Sequence, residues 1–224
     1  MKPAKYPHVK ICCISSTREA DLAVKYGASA IGLVGKMPSG PGVISDELIA
    51  EIAAGVPGYI YTFLLTSETT AEEIISHHRK VNTSTIQIVD RIETVVYTTL
   101  RNELPAIKLV QVIHVLDENS VTEAAMYAEY ADALLLDSGN PALAVKQLGG
   151  TGRTHNWELS LKIRELVDIP IYLAGGINPA NVKDAFNFVK PYGIDLCSGV
   201  RTAGRLDEIK LKEFFEEVKK VKST

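Results

Sequence analysis

The sequence predicts an α/β protein built as a single (β/α)8 TIM barrel over residues 1–224, and three observations predict it. Short apolar runs alternate with helical patterns from end to end, with no linker-like or low-complexity stretch. Most of those runs are apolar throughout rather than alternating, which is how strands read when helices cover a parallel sheet. Finally, three glycine-rich turns crowd the last third of the chain: Gly149-Gly150-Thr151-Gly152, Ala174-Gly175-Gly176 and Ser198-Gly199-Val200. Glycines at the C-terminal ends of strands let backbone N–H groups converge on an oxyanion, and barrels often build a phosphate site from their last strands. An open doubly wound sheet shares the periodicity, but eight strand–helix repeats favour closure.

The strands are expected at residues 9–13, 30–34, 60–65, 85–89, 108–112, 133–136, 169–173 and 195–197. Helices fall between them. Ser16-Thr17-Arg18-Glu19 and Ser120-Val121-Thr122-Glu123 have the form of capping boxes. Asn178-Pro179 offers an N-cap followed by proline at the first helical position. Val182, Ala185, Phe186 and Val189 then form an apolar stripe, as do Leu211, Phe214, Phe215 and Val218 in the last helix. His77 and His78 fall in a helix expected at 71–80 and read as surface residues.

Composition narrows the function class. The chain has 224 residues, 46% hydrophobic and 23% charged, with a formal net charge of −3, values of an ordinary globular protein. No basic tract with interleaved aromatics appears, so nucleic acid is not an expected partner. No apolar run reaches membrane-spanning length and the N-terminus has no signal core, so the expected location is cytoplasmic. The three cysteines, Cys12, Cys13 and Cys197, are an odd count with a vicinal pair. That is a poor disulfide framework and fits a reducing compartment. No Cys/His cluster has zinc-ligand spacing, so no metal is expected.

Reactive groups of a barrel belong at strand C-terminal ends, which singles out Cys12, Asp137 and the glycine turns. A thiolate can remove a carbon-bound proton and a carboxylic acid can protonate a departing oxygen. Position alone also suits blander roles: a small buried hydrophobe for Cys12 and a turn cap for Asp137. Cys13, one residue on, is expected on the opposite face of the strand from Cys12. Cys197 ends the last strand and reads as a packing residue. His114 ends the fifth strand and can point into the mouth, while His155 sits beside Asn156 at a helix start.

Together these residues resemble the phosphoribosylanthranilate isomerase family of tryptophan biosynthesis along nearly the whole chain. The matching stretches include Val9-Lys10-Ile11-Cys12 with Ile14-Ser15, Tyr26-Gly27-Ala28-Ser29-Ala30-Ile31-Gly32-Leu33-Val34 and Ala133-Leu134-Leu135-Leu136-Asp137. They continue with Gly149-Gly150-Thr151-Gly152-Arg153-Thr154, Leu173-Ala174-Gly175-Gly176-Ile177-Asn178-Pro179-Ala180-Asn181-Val182, Pro191-Tyr192-Gly193-Ile194-Asp195 and Ser198-Gly199-Val200. The resemblance implies an Amadori rearrangement of an N-(5-phosphoribosyl) amine to a 1-amino-1-deoxyketose phosphate, with no cofactor. It implies Cys12 as general base and Asp137 as general acid. The substrate phosphate would rest on Gly150, Gly152, Gly175, Gly176, Ser198 and Gly199, with Arg153 and Arg201 as further substrate contacts. The implied partner is a phosphorylated sugar, for a monomer or homodimer.

Departures from the family pattern fall at the other end of the site. Where the family has Ser-Pro-Arg-Tyr-Val, whose arginine holds the anthranilate carboxylate, this chain reads Ser39-Gly40-Pro41-Gly42-Val43. Proline cannot replace a bidentate guanidinium. The family's Gln-Leu-His-Gly becomes Gln87-Ile88-Val89-Asp90, Cys13 replaces a glycine, and Arg201 replaces a glutamate. Three readings follow: the ordinary isomerase with its carboxylate cation moved to Lys36 or Arg201, a paralogue acting on another phosphorylated aminosugar, and a non-catalytic phosphosugar-binding barrel. A Schiff-base aldolase is disfavoured, because no lysine ends strands five to eight.

Overall fold

Strand and helix alternate in the computed structural model, which describes residues 7–38, 40–139 and 154–221. The elements are β1 (His8–Ile11), α1 (Thr17–Tyr26), β2 (Ala30–Val34), α2 (Asp46–Gly55), β3 (Tyr61–Thr66), α3 (Ala71–Val81), β4 (Thr85–Ile88) and α4 (Thr94–Glu103). They continue with β5 (Lys108–His114), α5 (Asn119–Ala128), β6 (Ala133–Asp137), α6 (Trp157–Leu166), β7 (Ile171–Leu173), α7 (Val182–Val189) and β8 (Gly193–Leu196). A 3-10 turn (Ser198–Val200), a small hairpin of β9 (Arg201–Thr202) and β10 (Arg205–Leu206), and α8 (Glu208–Lys220) complete the chain. The first eight strands form a closed parallel barrel in chain order. Lys10 marks the closure, standing beside Ala30 of β2 on one side and Asp195 of β8 on the other.

Two buried clusters show how the strands divide their side chains. Ile31 and Leu33 of β2 pack outward into a large core shared with the helices, beside residues such as Ile49, Ile74 and Phe214. Ala30 and Val34 belong instead to the filling of the barrel, with Phe63, Leu65, Val89, Val112, Leu135 and Tyr172. Alternation along each strand produces both clusters. No helix among the described residues is long and apolar enough to cross a membrane.

Several local expectations need correction. His77 and His78 are both buried. His77 sits between Asp46 Oδ1 (3.1 Å from Nε2) and Thr66 Oγ1 (3.4 Å from Nδ1), and His78 Nε2 donates to the Thr83 carbonyl at 2.8 Å. Neighbouring helical residues are about 100° apart, and the core-facing stripe is at least that wide, so both fit inside it.

The box expected from Ser120 to Glu123 does not form. Asp117 makes the entry turn of α5, accepting the Asn119 N–H on its carboxylate and the Ser120 N–H on its carbonyl. Ser120 Oγ turns back to the Leu116 N–H and the His114 carbonyl, while Glu123 pairs with Arg91. Asn178 does cap a turn through the Ala180 N–H at 2.9 Å, but α7 proper starts only at Val182. The delay lies in Asn181, which is held out of helical geometry at φ −120° while its side chain bonds the Asn178 N–H and the Gly176 carbonyl.

Candidate active site

The C-terminal ends of the strands open on a cavity. Cys12 and Asp137 both line it, from the ends of β1 and β6. Cys12 is the first residue past β1; its N–H still donates to the Leu196 carbonyl at 2.9 Å, so the sheet itself fixes its backbone. Asp137 is the last residue of β6, with its carbonyl held by the Val115 N–H at 2.9 Å. Burial pushes the Asp137 carboxyl above its ordinary value, against the opposing pull of the Ser138 N–H and of His114. A carboxyl whose pKa is raised gives up its proton at a higher pH than an ordinary one, which suits a general acid.

Beneath them lies a pair that the sequence reading passed over. Lys10 is fully buried, and its Nζ lies 2.9 Å from Asp195 Oδ1. Burial alone would lower the lysine, but Asp195 and the nearby thiols outweigh it and hold Lys10 above its ordinary value. Burial pushes Asp195 up while the ammonium pulls it back. The available signal was one charge of each sign inside an otherwise apolar strand, in Val9-Lys10-Ile11 and Ile194-Asp195-Leu196. Gln87 was likewise legible as the lone amide of an apolar strand. It is buried, lines the cavity, and its Oε1 meets no hydrogen-bond donor among the described residues.

Between Asp137 and Cys12, past the ends of β7 and β8, Gly175, Gly176 and Ser198 line the cavity. Gly175 (φ 77°) and Gly176 (φ 65°) occupy the left-handed region, which a side chain disfavours. A Cβ on Gly175 would also stand 2.9 Å from His155 Nδ1. The side-chain amides of Asn178 and Asn181 both donate to the Gly176 carbonyl, at 3.1 and 3.0 Å. Across a trans peptide that anchoring turns the Ile177 N–H the opposite way. The N–H groups of Gly175 and Gly176 donate to no carbonyl among the described residues. Gly199 follows in the 3-10 turn, backed by Ile177 and Asn178. Gly150, Gly152 and Arg153, and with them the first glycine turn, lie outside the described residues.

Arg201 is placed away from the cavity lining. Its guanidinium spans Glu19, at 3.1 Å from each carboxylate oxygen, the Gly204 carbonyl at 3.0 Å, and the carbonyls of Cys12 and Cys13. Lys36 is exposed and lines an outer groove with Asp46, Glu68 and Glu72. Pro41 and Met37 close the cavity where the family arginine would stand, and among the described residues no lysine or arginine lines it.

The histidines take structural positions. His114 Nε2 donates to the Val89 carbonyl at 3.1 Å, and its ring borders a separate groove. His155 Nε2 meets Ser160 Oγ at 2.6 Å, and burial pushes its pKa down to about 4. Asn156 caps α6 through the Glu158 N–H. Cys13 does not face away from Cys12: both line the cavity. Its φ of 61° ends the extended backbone at Ile11 and cancels the alternation that the sequence reading assumed. Cys197, too, lies just past its strand and lines the cavity.

Comparison with known proteins gives one consistent answer. Residues 9–217 match the family described as N-(5'phosphoribosyl)anthranilate (PRA) isomerase. An N-(5'-phosphoribosyl)anthranilate isomerase of Methanocella arvoryzae is 30% identical over 215 residues, covering 96% of this chain and 99% of the relative. One from Haloarcula marismortui is 34% identical over 197 residues, covering 88% of each. Among solved structures, phosphoribosyl anthranilate isomerase of Thermotoga maritima superposes with a TM-score of 0.80 at 28% identity, covering 96% of this chain and 99% of that one. Another, in complex with reduced 1-(o-carboxyphenylamino)-1-deoxyribulose 5-phosphate, gives 0.77 at 26% identity with the same coverage.

Proposed function

The chain belongs to the N-(5'-phosphoribosyl)anthranilate isomerase family, and from that premise we propose the part each side of the cavity plays. The protein is an aldose–ketose isomerase that carries out an Amadori rearrangement on a phosphorylated aminosugar. Asp137 delivers its proton to the furanose ring oxygen, the C1–O bond breaks, and the nitrogen lone pair forms the Schiff base. The Cys12 thiolate then takes the C2 proton. The resulting enolamine gains a proton at C1 while its C2 hydroxyl gives one up to the now-ionised Asp137, which leaves a ketone at C2. Gly175, Gly176, Ser198 and Gly199 hold the phosphate through backbone N–H groups and the serine hydroxyl.

One observation carries this reading: Cys12 and the buried Asp137, its carboxyl pushed above the ordinary value, line one cavity with the glycine turns of β7 and β8 between them. Loss of phosphoribosylanthranilate fluorescence measures turnover directly. Wild type is expected to turn over, with Cys12→Ala and Asp137→Asn each slower by roughly 10²–10⁴-fold, the usual worth of a positioned acid or base. Rescue of a tryptophan auxotroph lacking the isomerase is the expected result in cells.

A second reading rests on the Pro41 end of the cavity. Among the described residues the lining there is apolar apart from the Gln87 amide, which suits an aglycone without a carboxylate. Turnover of an uncharged N-phosphoribosyl arylamine, with none of phosphoribosylanthranilate, would select it.

A further inference from the structure

Cys13 and Cys197 line the cavity as unbonded thiols with their Sγ atoms 2.7 Å apart. A disulfide holds its sulfurs at about 2.05 Å, so the two thiols stand about 0.7 Å from bonding distance. They are 184 positions apart in sequence and arrive from the ends of β1 and β8. From this geometry we infer that Cys13 and Cys197 form a dithiol modification site, which takes up a low-molecular-weight disulfide and closes to a bond between β1 and β8.

Three further observations support it. Cys12 is the nearer neighbour in sequence but a poor partner for Cys13. Adjacent Cα atoms stand about 3.8 Å apart across a trans peptide, inside the shortest separation a disulfide ordinarily takes. The left-handed backbone of Cys13 instead turns its side chain to Cys197. Second, the two thiols are unequally placed. Cys197 is partly exposed and Cys13 is buried, so an incoming reagent reaches Cys197 first. Third, the hydrogen-bonding contact with Cys13, joined by the Arg201 charge, holds the Cys197 thiol below its ordinary pKa, which raises its thiolate fraction.

The exchange balances in two steps. The Cys197 thiolate attacks one sulfur of the small disulfide, forming a mixed disulfide and releasing one thiolate. Cys13 then attacks Cys197 Sγ, displaces the second small thiolate, and gives up its proton to it. Two electrons pass from the protein dithiol to the reagent, which leaves as two thiols.

Closure also places a disulfide beside the proposed general base, because Cys12 and Cys13 adjoin in the cavity lining. This last consequence rests on the assignment of Cys12 as base; the disulfide itself does not.

The test equilibrates the reduced full-length protein in glutathione buffers of rising oxidised fraction, alkylates free thiols, and maps peptides without reduction. The expected product joins Cys13 to Cys197, leaves Cys12 alkylated, and reverts with dithiothreitol. Cys197→Ala and Cys13→Gly should each abolish the linked peptide; glycine suits the left-handed position, so the second variant serves if the first does not fold. Oxidised wild type should turn over more slowly than reduced and recover with dithiothreitol. Three alkylated cysteines throughout, a Cys12–Cys13 link, or a link between chains would each overturn the site. A Cys13–Cys197 link with unchanged turnover would keep the site and overturn its effect on the proposed base.

Discussion

The Lys10 ammonium lies 2.9 Å from the Asp195 carboxylate on the seam where the first and last strands of the barrel meet. Both side chains are almost wholly shielded from water, and the lysine also approaches the Phe63 ring, at 5.2 Å from its centroid. A buried charge left without its partner carries the full cost of desolvation.

Lys10→Met should therefore destabilise the fold by about 3–5 kcal/mol, the usual effect of orphaning one member of a buried pair. Lys10→Met combined with Asp195→Leu should recover most of that loss. Urea denaturation of the two variants beside wild type measures the difference. Equal losses in both would deny the pair its coupling.

As the proposed general acid, Asp137 should govern the alkaline side of catalysis. Its carboxyl is raised by burial and must hold a proton to act, so turnover should fall as pH rises through that raised pKa. Asp137→Asn should leave a slow residual rate whose alkaline limb is lost. A pH profile of kcat/KM in both proteins decides it, and an unchanged limb in the variant would assign the proton to another group.

Glu19 should act on the acid side of stability. Burial raises this carboxyl, but the Arg201 bonds and the N–H groups of Leu206 and Ser15 outweigh it, so the folded pKa lies below the ordinary value. A depressed acid contributes stability that is present above its unfolded pKa, about 4.3, and is lost as pH falls through its folded one. Thermal melts of wild type should drop across that acidic window, and Glu19→Gln should melt lower at neutral pH with a flatter acid dependence.

Gly175→Ala should weaken substrate binding more than it slows chemistry. The new methyl meets His155 and Ser138, and the left-handed backbone costs a non-glycine residue about 1–2 kcal/mol. Steady-state kinetics should show KM raised several-fold with kcat changed less. A fall confined to kcat would remove the turn from phosphate binding.

The barrel was legible because its evidence is redundant: each strand repeats the same apolar signature, and β2 was placed at its observed limits, residues 30–34. Errors fell where a single residue left the regular geometry. Cys13 at positive φ ended β1 early, and Asn181 delayed α7. Sequence periodicity carries no record of such backbone choices. In the site, Cys12 and Asp137 were legible from strand ends, whereas Lys10 and Asp195 lie far apart in the chain and each alone resembles an ordinary strand charge. Arg201 was read as a ligand contact because charge in sequence does not reveal what satisfies it; Glu19 and two backbone carbonyls do so here.

The Arg201 bridge also sets an order of events. It fastens the carbonyls of Cys12 and Cys13 across 189 and 188 positions of chain. Contacts of such span form only after the intervening loop entropy has been overcome, which makes them late and slow. A nascent chain that has emerged as far as α7 carries every strand-one residue of the site and still lacks the clamp that seats them. The seat of the proposed base is thus completed only when the last quarter of the chain reaches back to the first.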